Sequence, residues 1–171
     1  FSQTLIQQID TMSAIASAFS QFAAMPTGQS ERLNVTETVK RALELYKDAP
    51  IALDADAAYY AQLDATQLVR IINNLMSNAI DACAEVSKPS IEVRIFGDKK
   101  WIYVSVEDNG KGVSDYLQER IFEPTFTTKT SGMGLGLSMV KSIVETFGGK
   151  IQYESTPNVK TRFQVRFPRI D

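Results

Sequence analysis

The most restrictive feature of the chain is a pair of segments, 90–96 and 101–107, in which apolar and polar residues alternate strongly. Gly97-Asp98-Lys99-Lys100 between them has the composition of a tight connection, so the two read as one hairpin. Period-two alternation gives a sheet one apolar face, and a face of that kind needs a covering layer. The chain supplies helix-patterned segments to cover it. Composition narrows the class further. The 171 residues are 44% hydrophobic and 22% charged with a net charge of −2, which argues against wholesale disorder and against a general binder of nucleic acid or membrane surface. No apolar run approaches the roughly 20 residues of a membrane span, and no secretory signal is expected. The sequence holds no histidine and one cysteine, Cys83. It therefore cannot carry a Ser-His-Asp triad, a Cys-His pair or an internal disulfide, and a reducing setting fits. The chain starts at Phe1, within a helical pattern and without an initiator Met, and reads as a piece of something longer.

Organisation follows from periodicity. In residues 1–25, Leu5, Ile9, Met12, Ala16, Phe19 and Ala23 step by fours and threes, the seam of a coiled coil. Ile6, Ile15 and Phe22 widen the stripe towards a bundle. Such a helix either folds back on its own domain or is half of a helical hairpin that dimerises. Pro26 ends it, and residues 27–30 read as a linker. From Glu31 the pattern is α/β. A short strand is predicted at 33–35, and Thr36 is placed to cap a helix running to about Asp48. Strands follow at 51–53 and 59–63. Asp64 opens a long helix to about Val86, with Gln67 three residues on. After the hairpin, residues 109–133 are rich in Gly, Thr, Lys and Ser, with one short helix near 116–120. Segments this long without regular structure are usually functional, often lids. A helix at 134–147 stops at Gly148-Gly149, and strands at 151–154 and 161–167 close the chain. The triplet Asn34-Val35-Thr36 matches a glycosylation acceptor by chance frequency alone and is set aside.

Three clusters carry chemistry. On the long helix, Leu68, Ile71, Ile72, Leu75, Ala79 and Cys83 form the buried stripe, while Arg70, Asn74, Asn78 and Asp81 stack on the opposite face. A polar stripe is ordinarily a solvated face. Stacked asparagines are less ordinary, because Asn is a mediocre helix former and its carbonyl is a hard ligand suited to Mg²⁺. Next, a strand runs into Asp108-Asn109-Gly110-Lys111-Gly112. The plain alternative is a turn. The other is a carboxylate able to accept from an exocyclic amine, beside glycines that let a ligand approach the backbone. Last, Gly132-Met133-Gly134-Leu135-Gly136 leads directly into a helix. Bare amides at a helix N-terminus suit an anion, with Lys129 just upstream as a mobile cation. The spacing is neither the Rossmann fingerprint nor a Walker A loop.

In this order, Asn-x-x-x-Asn, Asp-x-Gly-x-Gly, Ile-Phe-Glu-Pro and Gly-x-Gly-x-Gly, the clusters resemble the four boxes of the GHKL ATPase superfamily, over residues 74–81, 108–112, 121–126 and 132–136. The resemblance extends over about 31–168. Within the superfamily the chain is similar to the catalytic, ATP-binding domain of sensor histidine kinases. The stretches 124–129 and 78–82 resemble the nitrogen-regulation subgroup. The implied fold is α+β, a Bergerat-type two-layer α/β sandwich with a mixed sheet and helices on one face, preceded by a helical arm. The implied organisation is a truncated second helix of a dimerisation and phosphotransfer hairpin at 1–26, a linker at 27–30 and the catalytic domain at 31–171.

The resemblance also implies roles. Asn78 would hold Mg²⁺, with Asn74 close to the metal or the γ-phosphate. Asp108 would read the adenine amino group, and Gly110, Gly112 and Val113 would bound the base. Gly132, Met133, Gly134, Leu135, Gly136 and Leu137 would line the phosphates and hinge a lid. Phe122 and Phe126 would anchor that lid, with Thr128 beside the nucleotide. Lys129 would neutralise γ-phosphate charge, and Thr161 would sit near the adenine. The parent would be a cytoplasmic protein-histidine kinase, with any membrane anchor upstream. It would dimerise through the arm and pass phosphate to a response regulator receiver domain, and this piece would contact neither nucleic acid nor membrane. Three departures stand out. Lys160 precedes Thr161 where the family pattern has Gly. Asp81 occupies a position where many sensor kinases have Lys. The phosphoacceptor His is absent from these residues. Two other readings stay open: a gyrase- or MutL-like ATP-gated machine, disfavoured because Asn74 stands where those members place a catalytic Glu, and a non-catalytic nucleotide-binding module.

Overall fold

The computed structural model describes residues 2–23, 29–123 and 136–171. Helix α1 is Ser2–Ala23. The α/β part then runs β1 (Glu31–Asn34), α2 (Val35–Leu43), β2 (Ile51–Ala55), β3 (Tyr60–Leu63), α3 (Ala65–Ala82), β4 (Ile91–Gly97), β5 (Trp101–Asp108), α4 (Gly136–Thr146), β6 (Lys150–Thr156) and β7 (Lys160–Ile170). The described strands form one seven-stranded sheet in the order β1-β3-β7-β5-β4-β2, with β6 added to β7. Strands β2 and β4 run parallel. The β1–β3, β3–β7, β7–β5, β5–β4 and β6–β7 pairs are antiparallel, so the sheet is mixed, as expected.

Strand β7 organises the sheet. One of its edges pairs with β5 from Thr161 to Pro168. The other carries β6 as far as Arg166 and then β3 at Arg169 and Ile170. Those last residues lie beyond the strand end expected at 167. One face of the central strands is apolar throughout: Ile91, Val93 and Ile95 on β4, Ile102, Val104 and Val106 on β5, Phe163, Val165 and Phe167 on β7 are all buried. The covering layer is α2, α3 and α4, which contribute Val35 and Val39, Leu68, Ile71, Ile72, Leu75, Met76 and Ala79, and Val140, Ile143 and Val144. The whole expected stripe of α3, Cys83 included, is in this core. On the opposite face Phe96 and Tyr103 stack at 5.0 Å between ring centres. The Arg166 guanidinium lies 4.3 Å from the Trp101 ring centre.

The caps show which local signals held. Asp64 caps α3, its side chain accepting from Gln67 N at 3.1 Å. Helix α2 departs from expectation. Its N-cap is Asn34, which accepts from Glu37 N at 3.0 Å, and the helix ends at Leu43, tightening into a 3₁₀ turn at Glu44–Tyr46. Thr36 lies within the first turn and is buried. Its hydroxyl donates to Ala57 O at 2.9 Å and accepts from Tyr59 N at 3.1 Å, tying α2 to the approach of β3. Helix α3 stops at Ala82, four residues early, with Cys83 as its C-cap. In the long segment after β5 a 3₁₀ turn occupies Asp115–Arg120. On α1, Leu5, Ile6, Ile9, Met12 and Ile15 are exposed, so these seam positions are not folded against the rest of the chain.

Replacing the Thr36 hydroxyl by a methyl strands the buried Tyr59 amide. Thr36→Val is expected to lower unfolding free energy by about 1–3 kcal/mol, read as a shift of the urea midpoint at constant slope.

Candidate functional site

The site begins with strand parity. The core-facing positions of β5 are Ile102, Val104 and Val106, and the next is Asp108, a carboxylate only 4% exposed at the strand's end. Its Oδ1 accepts from Gly110 N at 2.9 Å. Burial pushes its pKa up to about 6, with the Gly110 amide opposing the rise and the charge of Glu107 adding to it. Across the sheet Asp108 is in register with Thr161 of β7, and Thr161 is in register with Ser155 of β6. The two hydroxyl oxygens lie 2.9 Å apart. A row of three polar side chains thus ends the apolar columns of three neighbouring strands.

The residues after β5 fold over this row. Asn109 fastens the start: its carbonyl accepts from Ser90 N at 2.8 Å and its amide donates to Lys88 O at 2.9 Å. Gly110 lies so close to the end of α3 that a Cβ would collide with the Ala82 backbone. Lys111 N donates to that same Ala82 carbonyl at 3.1 Å. Gly112 has φ +67°, and a Cβ there would come 2.6 Å from Ser155 Oγ and 3.1 Å from Thr161 Oγ1. Glycine is required twice over, by conformation and by space. Val113 follows, half-buried against the core.

The other end of the site lies two turns back along α3. Asn74 Nδ2 donates to Arg70 O at 2.8 Å, which orients the amide and leaves Oδ1 as its outward atom. A Cβ at Gly136, the first residue of α4, would sit 2.7 Å from that oxygen. Asn78 is half-buried one turn further along. Eight residues separate Asn74 from Ala82, about 12 Å of helix, so one side of α3 spans from the start of α4 to the Asp108 loop. The structure thus brings Asp108, Gly110, Gly112, Val113 and Thr161 together at one end and Asn74 and Gly136 at the other. Leu137 and Phe122 are half-buried against the same core, with Lys141 Nζ 5.9 Å from the Phe122 ring centre. Phe126, Thr128, Lys129, Gly132, Met133, Gly134 and Leu135 lie outside the described residues. Ser155 and the fastening role of Asn109 were missed in the sequence. Only strand register reveals Ser155, because it faces Thr161 across a turn of unannounced geometry.

Residues 63–171 match the family of histidine kinase-, DNA gyrase B- and HSP90-like ATPases. The chain belongs to this family. Sensor histidine kinase YcbM of Bacillus subtilis is 32% identical over 97% of the chain, which spans 56% of that protein. The alginate biosynthesis sensor protein KinB of Pseudomonas aeruginosa is 38% identical over 63% of the chain, and the match covers 18% of its own length. The chain therefore spans about half or less of these relatives. Among solved structures, the catalytic domain of histidine kinase ThkA superposes with a TM-score of 0.74 at 28% identity, covering 82% of this chain and 96% of that one. The α/β part is an ATP-binding domain of the histidine kinase type. Its mixed sheet with one helical layer is the fold expected from the four boxes.

The two glycines bracketing the site are expected to differ in their tolerance of a methyl. Gly110→Ala meets backbone and should cost about 1–3 kcal/mol in chemical unfolding. Gly136→Ala meets, among the described residues, the Asn74 side-chain oxygen rather than backbone, and should cost less, about the one hydrogen bond to Arg70 that the amide gives up in moving aside. The Asp108 carboxyl also predicts a pH signature. Its folded pKa lies above the unfolded value near 3.9, so its contribution is fully present at low pH and is lost as pH rises through about 6. Asp108→Asn should therefore match the wild type near pH 4 and exceed it at pH 8, by up to about 3 kcal/mol, measured as the difference between their urea unfolding curves.

Proposed function

We propose that this chain is the nucleotide-binding and phosphoryl-donating part of a cytoplasmic sensor histidine kinase. Its substrate would be Mg²⁺-ATP, and the γ-phosphate would go to a His on a separate helix and then to an Asp of a response regulator receiver domain. The observation that carries this reading is the pairing of a buried carboxylate beside the C-terminal end of α3 with an oriented amide oxygen and a helix start two turns back along it. ATP has the matching polarity, an amine-bearing base at one end and a chain of anions at the other.

In this reading the exocyclic amine of adenine donates to Asp108, while Gly112, Val113 and Thr161 bound the ring. Gly110 keeps the loop against α3 so that the carboxylate stays dry. Asn78 and Asn74 are the residues that would hold Mg²⁺, and the fit is chemical: Asn74 presents a hard oxygen of fixed orientation, a ligand type that suits an ion arriving with phosphates and waters. When bound, that ion supplies neutralisation of phosphate charge. Gly132, Gly134 and Gly136 offer backbone amides to the phosphates at the start of α4. Met133, Leu135 and Leu137 would space those glycines, Phe122 and Phe126 would anchor the lid with Thr128 beside the nucleotide, and Lys129 would meet the γ-phosphate. Phosphoryl transfer asks for positioning and charge stabilisation, and the set provides both once a nucleophile is delivered. Asn74 cannot serve as a base for water, which favours transfer over hydrolysis. Residues 1–26 would be the hairpin helix that joins two copies, consistent with the exposed Leu5, Ile9 and Met12, followed by a linker at 27–30 and the catalytic domain at 31–171. No helix among the described residues is long and apolar enough to cross a membrane.

Calorimetric titration with ADP and Mg²⁺ tests the site. Saturable binding is expected, lost in Asp108→Asn and weakened in Asn78→Ala. Wild-type affinity should fall as pH drops below 6, by up to about tenfold per unit, as the carboxylate protonates. A folded wild-type chain that binds no ADP overturns the reading. With a His-bearing hairpin from a relative added, labelled ATP should mark the hairpin, and rapid steady-state hydrolysis without transfer would contradict the kinase assignment.

A further inference from the structure

We infer that Tyr153 is a base-reading residue of the nucleotide site, its hydroxyl donating to a ring nitrogen of the purine beside Asp108. The inference rests on the ATP-binding reading above and adds a specificity element to it. Strand register places the residue. Tyr153 of β6 pairs with Phe163 of β7, one step deeper than the Ser155–Thr161–Asp108 row. It shares a face with Ser155, two residues along the same strand. Its ring packs against Phe163 with centres 4.8 Å apart, which leaves the long side chain to extend back towards the row.

The hydroxyl oxygen is buried and no described residue meets it at full hydrogen-bond geometry. The Ser155 side chain and the Val113 backbone are near enough for weak hydrogen bonds only, and its charged neighbours are Asp108 and Asp115. Ser155 is already engaged with Thr161. Burial of a hydroxyl without a partner is costly and uncommon, and this one sits against the loop that Gly112 and Val113 lay over the row. A purine whose amine meets Asp108 presents an unprotonated ring nitrogen next to that amine, which is an acceptor for a hydroxyl donor. Guanine presents a carbonyl where adenine has its amine, which a carboxylate repels, and a protonated ring nitrogen, to which the phenol cannot donate and can only accept. A carboxylate and a phenol side by side would therefore select adenine over guanine.

Tyr153→Phe keeps the ring contact and removes the oxygen. The measurements are ADP affinity by calorimetry, the ADP-to-GDP preference by competition, and the thermal midpoint of the ligand-free protein. The expected result is a five- to tenfold loss of ADP affinity and a narrowed preference for ADP, with a midpoint equal to or above that of the wild type because a poorly paired buried group is gone. ADP affinity within twofold of the wild type would overturn the inference. So would a midpoint that falls together with affinity, since packing would then account for both. Failure of the wild type to bind ADP would strike the underlying reading instead, and Tyr153 with it.

Discussion

The site depends on one uncomfortable placement, a carboxylate at a core position. Asp108 continues the apolar column of β5 and is held there by pairing with β7 on one side and by the Gly110 amide at its tip. Water cannot compensate it, so its ionised form costs free energy in the empty protein, and a well-oriented donor recovers that cost. Everything around it serves this placement. Asn109 pins the exit of the strand, Gly110 brings the chain under the end of α3, and Gly112 turns it over the hydroxyls of Ser155 and Thr161. On the proposed reading, the free-energy cost of the dry charge and the selectivity of the site for a donor are the same physical quantity.

Helix α3 sets the scale of the rest. Its buried stripe fixes it to the sheet through Leu68, Ile72, Leu75 and Ala79, leaving the polar face with no freedom to rotate. The contacts at its middle and at its C-terminal end, Asn74 with Gly136 and Ala82 with Gly110, therefore stand at a fixed separation. A rigid helix is a better spacer than a loop for a ligand whose two ends must be recognised at once. In nearly every helix the back is merely solvated; on the proposed reading this one is a measuring edge.

What could be read from the residues, and what could not, divides along the range of the interactions. Strands β4 and β5 and helix α3 announce themselves because each buries one face, and burial writes its period into the sequence. The Asp64 cap was equally plain, a signal contained within four residues. The start of α2 misled because Asn34 and Thr36 both suit a cap, and the choice was made by Ala57 and Tyr59, more than twenty positions away. Asp108 and the glycines were visible as a motif. Their burial was not, nor was the register that sets Thr161 and Ser155 beside them, since cross-strand alignment depends on turns whose geometry composition does not encode. Tyr153 looked like any strand aromatic until its hydroxyl was found without a well-placed partner. The glycine-rich segment before α4 was read from sequence alone and falls outside the described residues.

The single tryptophan of the chain stands at the wrong end of the same strand. Trp101 opens β5 and Asp108 closes it, some 23 Å apart at about 3.3 Å per residue, with the indole on the far face beneath Arg166. Its emission is expected to sense whether the sheet exists and to respond little to a nucleotide in the proposed site. Tryptophan fluorescence of this protein is thus expected to be a folding gauge, and a reporter of occupancy is better carried by the ligand.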